Sequence, residues 1–300
     1  MKVLIAGASG FLGRALSQEL VAHGHDVHAL VRRPARAANE IEWHPEHADL
    51  DPDALRGFGA VIGLSGAGIA DRRWTSDYKR QLVDSRVQPT ATLANALAAL
   101  PQAQRPRTFL SASAVGYYGD RGEELLPESA SFGSGFLADL VRRWEAATQP
   151  AVAAGLRVVT LRTGLVLAAG GGLLGRLVPL FRLGLGGKLG TGRQYQPWIS
   201  LADEVGAIRF VLESGRISGA VNLSGPTPVR NSEFTAELGR VLHRPAVLPV
   251  PAFALRLALG EFADEGALVS QRVTPERLIE AGYEFQHNDL RAALDWAVVH

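Results

Sequence analysis

The chain of 300 residues contains no cysteine, which excludes disulfide staples, zinc–thiolate sites and a thiol nucleophile. It shows no leader pattern either, because Lys2 leads straight into an apolar strand-like segment with no basic n-region and apolar h-region before it. No uninterrupted apolar run approaches membrane-spanning length, and a cytoplasmic protein is the expectation. An excess of one charge is also missing: 31 basic residues face 30 acidic ones, for a net charge of +1. Neither nucleic acid nor a membrane surface is therefore expected as a partner. Lysine is scarce, with Lys2, Lys79 and Lys188 the three among those basic residues. No metal is expected, since the histidines are scattered and the pairs His23/His25 and His44/His47 lie in loop-like sequence.

What is present begins with Lys2-Val-Leu-Ile-Ala-Gly7-Ala-Ser9-Gly10-Phe11-Leu12-Gly13. A short apolar strand runs into three glycines spaced three apart, and an apolar pattern of helical period (Phe11, Leu12, Ala15, Leu16, Leu20) follows at once. Gly7 permits the turn, Gly10 lets backbone approach a ligand, and Gly13 allows the helix to pack closely on the strand. The exposed amides of the helix start would face a pyrophosphate, as at a dinucleotide site. A second apolar strand, Val27 to Val31, ends in Arg32-Arg33. An NAD-specific site should carry an acid about 20 residues past the glycines to bond the ribose 2′-hydroxyl. Two guanidinium groups suit a 2′-phosphate instead, so NADP(H) is expected; solvated loop arginines are the alternative.

Further strands are expected at Ile41–Trp43, Ala60–Leu64, Thr108–Ser113 and Leu156–Leu161, with a long helix over Thr75–Leu100 and another over Ser134–Gln149. Ser65-Gly66-Ala-Gly68, after the fourth strand, suggests backbone lying close to a ligand. Unbroken alternation of strand and helix implies α/β architecture, a doubly wound parallel sheet of the Rossmann kind with a smaller α+β part towards the C-terminus. The division expected is 1–168 for the nucleotide-binding domain, with returns to it around 198–225, and 169–300 mainly for the substrate side. Ser113 and Tyr117, beyond the fifth strand, are candidates for polarising a substrate carbonyl, with turn and packing roles the alternative. Glycine-rich sequence from Gly184 to Trp198 is expected to be a mobile segment whose Arg193, Tyr195 and Trp198 could contact substrate; a plain linker is the alternative.

With these motifs in hand the chain resembles the extended short-chain dehydrogenase/reductases, and more closely an atypical sugar-nucleotide-epimerase-like group. The likeness rests on Arg73-Trp74-Thr75, Ser85-Arg86-Val87, Gly116-Tyr117-Tyr118-Gly119, Trp144-Glu145, Arg162-Thr-Gly164-Leu165, Phe181-Arg-Leu-Gly184 and a tail with Leu257-Ala-Leu-Gly-Glu261, Gln271-Arg-Val-Thr-Pro275 and Gly282-Tyr-Glu-Phe285. It covers essentially the whole chain. The resemblance implies NADP(H) held by Gly7, Ser9, Gly10, Phe11 and Leu12, with Arg32 on the 2′-phosphate and Leu64 and Ser65 along the adenosine. It also implies that Gln81 and Arg86 reach the cofactor from the long helix and that Leu165 lies near the nicotinamide.

One departure stands out. The superfamily's usual Tyr with Lys four residues later is missing: the residues four on from Tyr78, Tyr117, Tyr118, Tyr195 and Tyr283 are Leu82, Arg121, Gly122, Ile199 and His287. Aligning on Glu145 puts Leu137 and Val141 at the two positions. Tyr117 with Arg121 is the remaining tyrosine–cation spacing. The expected function is an NADP(H)-binding epimerase-like or oxidoreductase-like protein acting on a nucleotide sugar or another small hydroxyl or carbonyl substrate. The alternative is a non-catalytic NADP(H) sensor or scaffold.

Overall fold

The structure is a computed structural model that describes residues 1–299. Strand β1 (Lys2–Ala6) and helix α1 (Phe11–Ala22) form the expected strand–turn–helix unit, followed by β2 (Asp26–Val31), β3 (Glu40–Glu42) and β4 (Ala60–Gly63). Helix α2 (Ser76–Ala99) comes next, then β5 (Thr108–Ala114), the short β6 (Leu125–Leu126), α3 (Phe136–Ala146), α4 (Gln149–Ala153) and β7 (Arg157–Thr163). The chain goes on through β8 (Leu165–Ala168), α5 (Gly172–Arg182), β9 (Tyr195–Gln196), β10 (Trp198–Ser200), α6 (Leu201–Ser214) and β11 (Gly219–Leu223). It closes with β12 (Val229–Arg230), α7 (Asn231–Val241), α8 (Ala252–Leu259), β13 (Arg272–Val273), α9 (Glu276–Glu280) and α10 (Leu290–Ala297).

Seven strands make one parallel sheet in the order β11-β7-β5-β4-β1-β2-β3. The order reverses beside β1, which sets a crevice at the carboxyl ends of β1 and β4. Helices cover both faces, as the continuous apolar runs of the inner strands require. On one face α1 and α6 pack Leu16, Leu20, Ile208 and Val211 against Val3, Ile5, Ile62 and Leu161. On the other, Leu93 and Leu97 of α2 meet Leu4, Val61 and Phe109. The return of the chain to the sheet at β11 falls inside the 198–225 stretch.

Some boundaries differ from expectation. Thr75 caps α2 by accepting from the Tyr78 amide, and the helix runs on through Pro89, whose ring is buried in its packed face. Helix α3 is shorter than expected. It starts after Gly135, at a φ of +104°, with the Glu265 carboxylate accepting from the Phe136 and Leu137 amides at 3.1 Å each. Pro150 has no N–H to extend that helix and sits in the first turn of α4 instead. The glycine-rich segment is not an open linker: β9 pairs with β12 and β10 with β8, and the Gly190 amide donates to the Val250 carbonyl at 2.8 Å. The sequence pattern missed these links because their partners lie far along the chain. A third apolar cluster, built on Phe181, Trp198, Phe234, Leu290 and Leu294, ties this segment to α5, α7 and α10. Among the described residues no helix is long and apolar enough to cross a membrane.

Candidate functional site

The crevice is built first by glycine. Gly7 has a φ of +86°, and a Cβ there would stand 2.9 Å from the Leu64 carbonyl carbon, so β1 and β4 close together at their ends only with a bare backbone. A methyl at Gly13 would overlap the Gly7 carbonyl oxygen. Gly10 is the N-cap of α1, in extended conformation and with no side-chain cap. The first-turn amides therefore keep no protein acceptor from the capping position, and with the helix dipole they favour an anion. Ser9 and Gly10 are exposed and Phe11 and Leu12 half-buried. The Phe11 ring lies against Gly171, where a Cβ would come within 2.7 Å of it.

The cations around this turn have different partners. Arg33 is not available to a ligand as expected, because it forks onto Glu40 at 2.8 and 2.6 Å; together with the Arg36 amide it holds the Glu40 carboxyl down at about 2. Arg32, next to it, is exposed, and among the described residues it makes no hydrogen bond or ion pair. Arg86 is buried on α2 and donates to the Leu82 and Ala67 carbonyls at 3.1 and 2.8 Å. It lies against the turn at Gly66, where a Cβ would be 3.2 Å from its Cζ. No carboxylate pairs with it among the described residues, and burial pushes its guanidinium down to about 10. A buried cation without a counter-ion, set against the turn that follows β4, the strand next to β1, fits a phosphate-bearing ligand. Ser65 is half-buried along the same turn, Gln81 is exposed on α2, and Leu165 is half-buried at the start of β8.

At the end of β5 the structure corrects two readings. Ser113 is 3% exposed and gives its hydroxyl proton to Glu145 Oε1 at 2.6 Å. It braces α3 against the sheet and is not open to a substrate. Glu145 also accepts from Arg162 Nε at 2.8 Å and Nη2 at 2.9 Å, and Arg162 Nη1 donates to the Tyr118 hydroxyl at 3.0 Å. Tyr118 in turn donates to Asn222 Oδ1 at 2.7 Å. Burial works against the charge of Arg162, yet the Glu145 carboxylate keeps its guanidinium above the ordinary value; burial raises the Tyr118 phenol. Tyr117 does not pair with Arg121, which is held by Glu124 at 2.8 and 2.5 Å and by the Ser131 carbonyl at 3.0 Å. The cation on Tyr117 is Arg162, with its Cζ 3.5 Å from the ring centroid. The Tyr117 hydroxyl has no hydrogen-bond partner among the described residues. Leu137 and Val141 are packed in an apolar cluster with Trp74, Tyr78 and Leu82, against Gly116.

Across from this strand end stand Arg230 and Arg272, to which the sequence motifs assign no role, together with Arg193. The Tyr195 ring lies 4.7 Å from the guanidinium of Arg230 and 5.2 Å from that of Arg272. Arg230 is paired with Glu123 at 2.7 Å, whereas Arg272 has no ion-pair partner among the described residues and its buried Nε has no acceptor. Arg193 is exposed. The neighbouring Gln271 joins the two sides, its amide donating to the Tyr195 carbonyl at 3.2 Å and its side chain to the Val115 and Gly119 carbonyls at 3.0 and 3.1 Å. Trp198 is not a surface contact. It is 1% exposed, with its indole N–H on the Thr227 carbonyl at 3.0 Å. An aromatic in a glycine-rich segment reads as a ligand contact only while its burial is unknown.

Residues 3–224 match the model of the NAD dependent epimerase/dehydratase family, and residues 250–297 match a C-terminal domain of unknown function, DUF1731. An epimerase family protein of Mycobacterium bovis is 48% identical over 295 residues, spanning 98% of this chain and 97% of its own length. The crystal structure of the human epimerase family protein SDR39U1 (isoform 2) with NADPH superposes with a TM-score of 0.90 at 33% identity, covering 100% of this chain and 99% of that one. A nucleoside-diphosphate sugar epimerase from Corynebacterium glutamicum gives a TM-score of 0.81 at 35% identity, over 99% of this chain and 58% of that one. The chain belongs to the NAD dependent epimerase/dehydratase family, as an extended short-chain dehydrogenase/reductase-like member with the DUF1731 tail.

Proposed function

We propose that this epimerase family member binds NADP(H) and uses it to oxidise or reduce a small hydroxyl or carbonyl substrate that carries an anionic group, a nucleotide sugar among the candidates. The observation that carries the reading is Arg86: a buried guanidinium with no carboxylate among the described residues, set against the glycine turn that follows β4, the strand beside β1 and its uncapped helix. The human relative crystallised with NADPH supports the choice of dinucleotide, as does the unpaired Arg32. On this reading Gly7, Ser9, Gly10, Phe11, Leu12, Leu64, Ser65 and Gly66 cradle the diphosphate and adenosine, Arg32 and Arg86 neutralise phosphates, Gln81 reaches in from α2, and Leu165 packs near the nicotinamide.

When bound, the nicotinamide supplies hydride chemistry. The chain holds the substrate anion with Arg272, Arg193 and Tyr195, and Tyr117 offers the one unengaged phenol at the end of β5. Ser113 keeps α3 in place. Calorimetric titration of cofactor-stripped protein with NADPH and NADH, followed by a screen of nucleotide sugars for change in nicotinamide absorbance, tests the proposal. Tight NADPH binding together with turnover that falls in Arg272→Ala is expected. Absence of binding to either cofactor by folded protein would sink it.

A second reading, a non-catalytic NADP(H) sensor, is favoured by one feature. Leu137 and Val141, the positions that aligning on Glu145 assigns to the usual tyrosine and lysine, are locked into an apolar cluster. Tight NADPH binding with no turnover of any hydroxyl or carbonyl substrate would favour this reading.

A further inference from the structure

Beneath the carboxyl ends of β5, β7 and β11 one acid is sealed from solvent. Glu204, in the first turn of α6, is fully buried. Its Oε1 accepts from the Thr163 hydroxyl at 2.7 Å, and its Oε2 has no partner among the described residues. Thr163 pairs in register with Ala114 of β5 and Leu223 of β11, so it stands at the end of the sheet where ligands enter an α/β crevice. It is half-buried, so a residue at the crevice end of the sheet is hydrogen-bonded directly to the sealed acid. One residue past Leu223, the buried hydroxyl of Ser224 is also without a partner. Buried polar atoms are nearly always satisfied, and two orphans at the ligand end of one sheet need a physical reason.

We propose that Glu204 is a proton-holding group linked to the dinucleotide crevice, held neutral more firmly when the crevice is filled than when it is empty. The inference rests on the NADP(H) reading above. Among the described residues no nearby cation is free to neutralise a Glu204 carboxylate. Arg209 of α6 is committed to Glu19 of α1 and to Glu213, at 2.9 and 3.0 Å. Arg162, next to Thr163 on β7, projects from the opposite face towards Glu145, and Arg157 is spent on the Val211, Leu212 and Ile217 carbonyls. Arg14 of α1 is exposed and bonded to the Ser9 carbonyl. From the tail, the Tyr283 phenol and His287 face Asp203, which also takes the Ser200 hydroxyl. Burial accordingly pushes the Glu204 carboxyl up to about 8, with the Thr163 bond pulling the other way. A phosphate-bearing ligand adds negative charge to the crevice and removes water from Thr163. Both effects favour the neutral acid, so binding near that pH should draw in a proton.

The test is calorimetric titration of NADPH into the cofactor-free full chain in buffers of different ionisation enthalpy, from about pH 6.5 to 9, which counts protons taken up per NADPH bound. The expected result for the natural protein is net uptake growing above pH 7. Its affinity should weaken by up to about tenfold per pH unit above the midpoint, with both effects absent in Glu204→Gln. Thr163→Val, which removes the single hydrogen bond to Glu204, should shift the uptake to higher pH and serves if the glutamine variant does not fold. Equal proton counts in the natural protein and Glu204→Gln, or a Thr163→Val profile unchanged from the natural one, would overturn the linkage while leaving the cofactor reading intact. No binding heat at pH 6.5 from folded protein would overturn both.

Discussion

Replacing Glu145 by alanine should cost more stability than its position at the rim of the fold suggests. The side chain takes three hydrogen bonds, from Ser113 at 2.6 Å and from Arg162 at 2.8 and 2.9 Å. Among the described residues it is the only carboxylate on the Arg162 guanidinium, whose side chain is 4% exposed. Breaking a buried pair by removing one partner leaves a buried charge uncompensated, at about 3–5 kcal/mol. A groove of about 530 Å³ opens on Glu145 and Arg162 between α3, α4 and the β7–β11 edge. Water entering there would solvate part of the freed guanidinium, which places the expected loss at the lower end, about 3 kcal/mol. Ser113→Ala, which removes one neutral donor, should cost about 1 kcal/mol. The double variant Glu145→Leu with Arg162→Met should lose less than Glu145→Ala alone, because neither charge remains buried. Urea unfolding of the four proteins, followed by tryptophan fluorescence, gives the comparison. A loss under about 1 kcal/mol for Glu145→Ala, or a double variant worse than the single, would refute the account of a network held together by one carboxylate.

Four other outcomes follow from the geometry. Arg32→Ala should weaken NADPH about tenfold to a hundredfold and leave NADH unchanged, while Arg33→Ala, whose fork already holds Glu40, should shift the ratio far less; competitive titration with the two cofactors distinguishes them. Gly13→Ala places a methyl on the Gly7 carbonyl oxygen and should cost about 1–3 kcal/mol in thermal unfolding, together with most of the dinucleotide affinity. Tyr118→Phe leaves Asn222 Oδ1 without its donor and takes one acceptor from Arg162 Nη1, and should destabilise by about 1–3 kcal/mol; Tyr117→Phe removes a hydroxyl without a hydrogen-bond partner among the described residues and should leave urea midpoints unmoved, so any loss of turnover reports chemistry. For Glu204 the folded acid stands at about 8, well above the ordinary carboxyl value of about 4.3. The folded state then binds the extra proton in that window, and its contribution to stability is full below the lower value and lost as pH rises through the upper one, on the order of 3–5 kcal/mol in all. Glu204→Gln should flatten that decline, as read from urea midpoints between about pH 5 and 9.

The dinucleotide turn was legible in the residues themselves. Gly7, Gly10 and Gly13 act within a dozen residues of each other, and the need for bare backbone at a strand–helix turn is a local matter of sterics. Strand and helix alternation carried the parallel sheet for the same reason, since apolar period reports burial along one element. What sequence distance hides came only with the tertiary structure. Nothing in Arg32-Arg33 says which guanidinium is free until Glu40 takes one of them. Ser113 and Trp198 had the residue types of a site, and their burial turned both into framework. The arginines at 230 and 272, and the acids at 145 and 204, acquire meaning from partners 17 to 107 positions away or from having none, as Arg162, Tyr195, Thr163 and Glu123 show. Local chemistry is written in neighbouring residues; the charge state and availability of a side chain depend on which distant groups fold against it and shut out water.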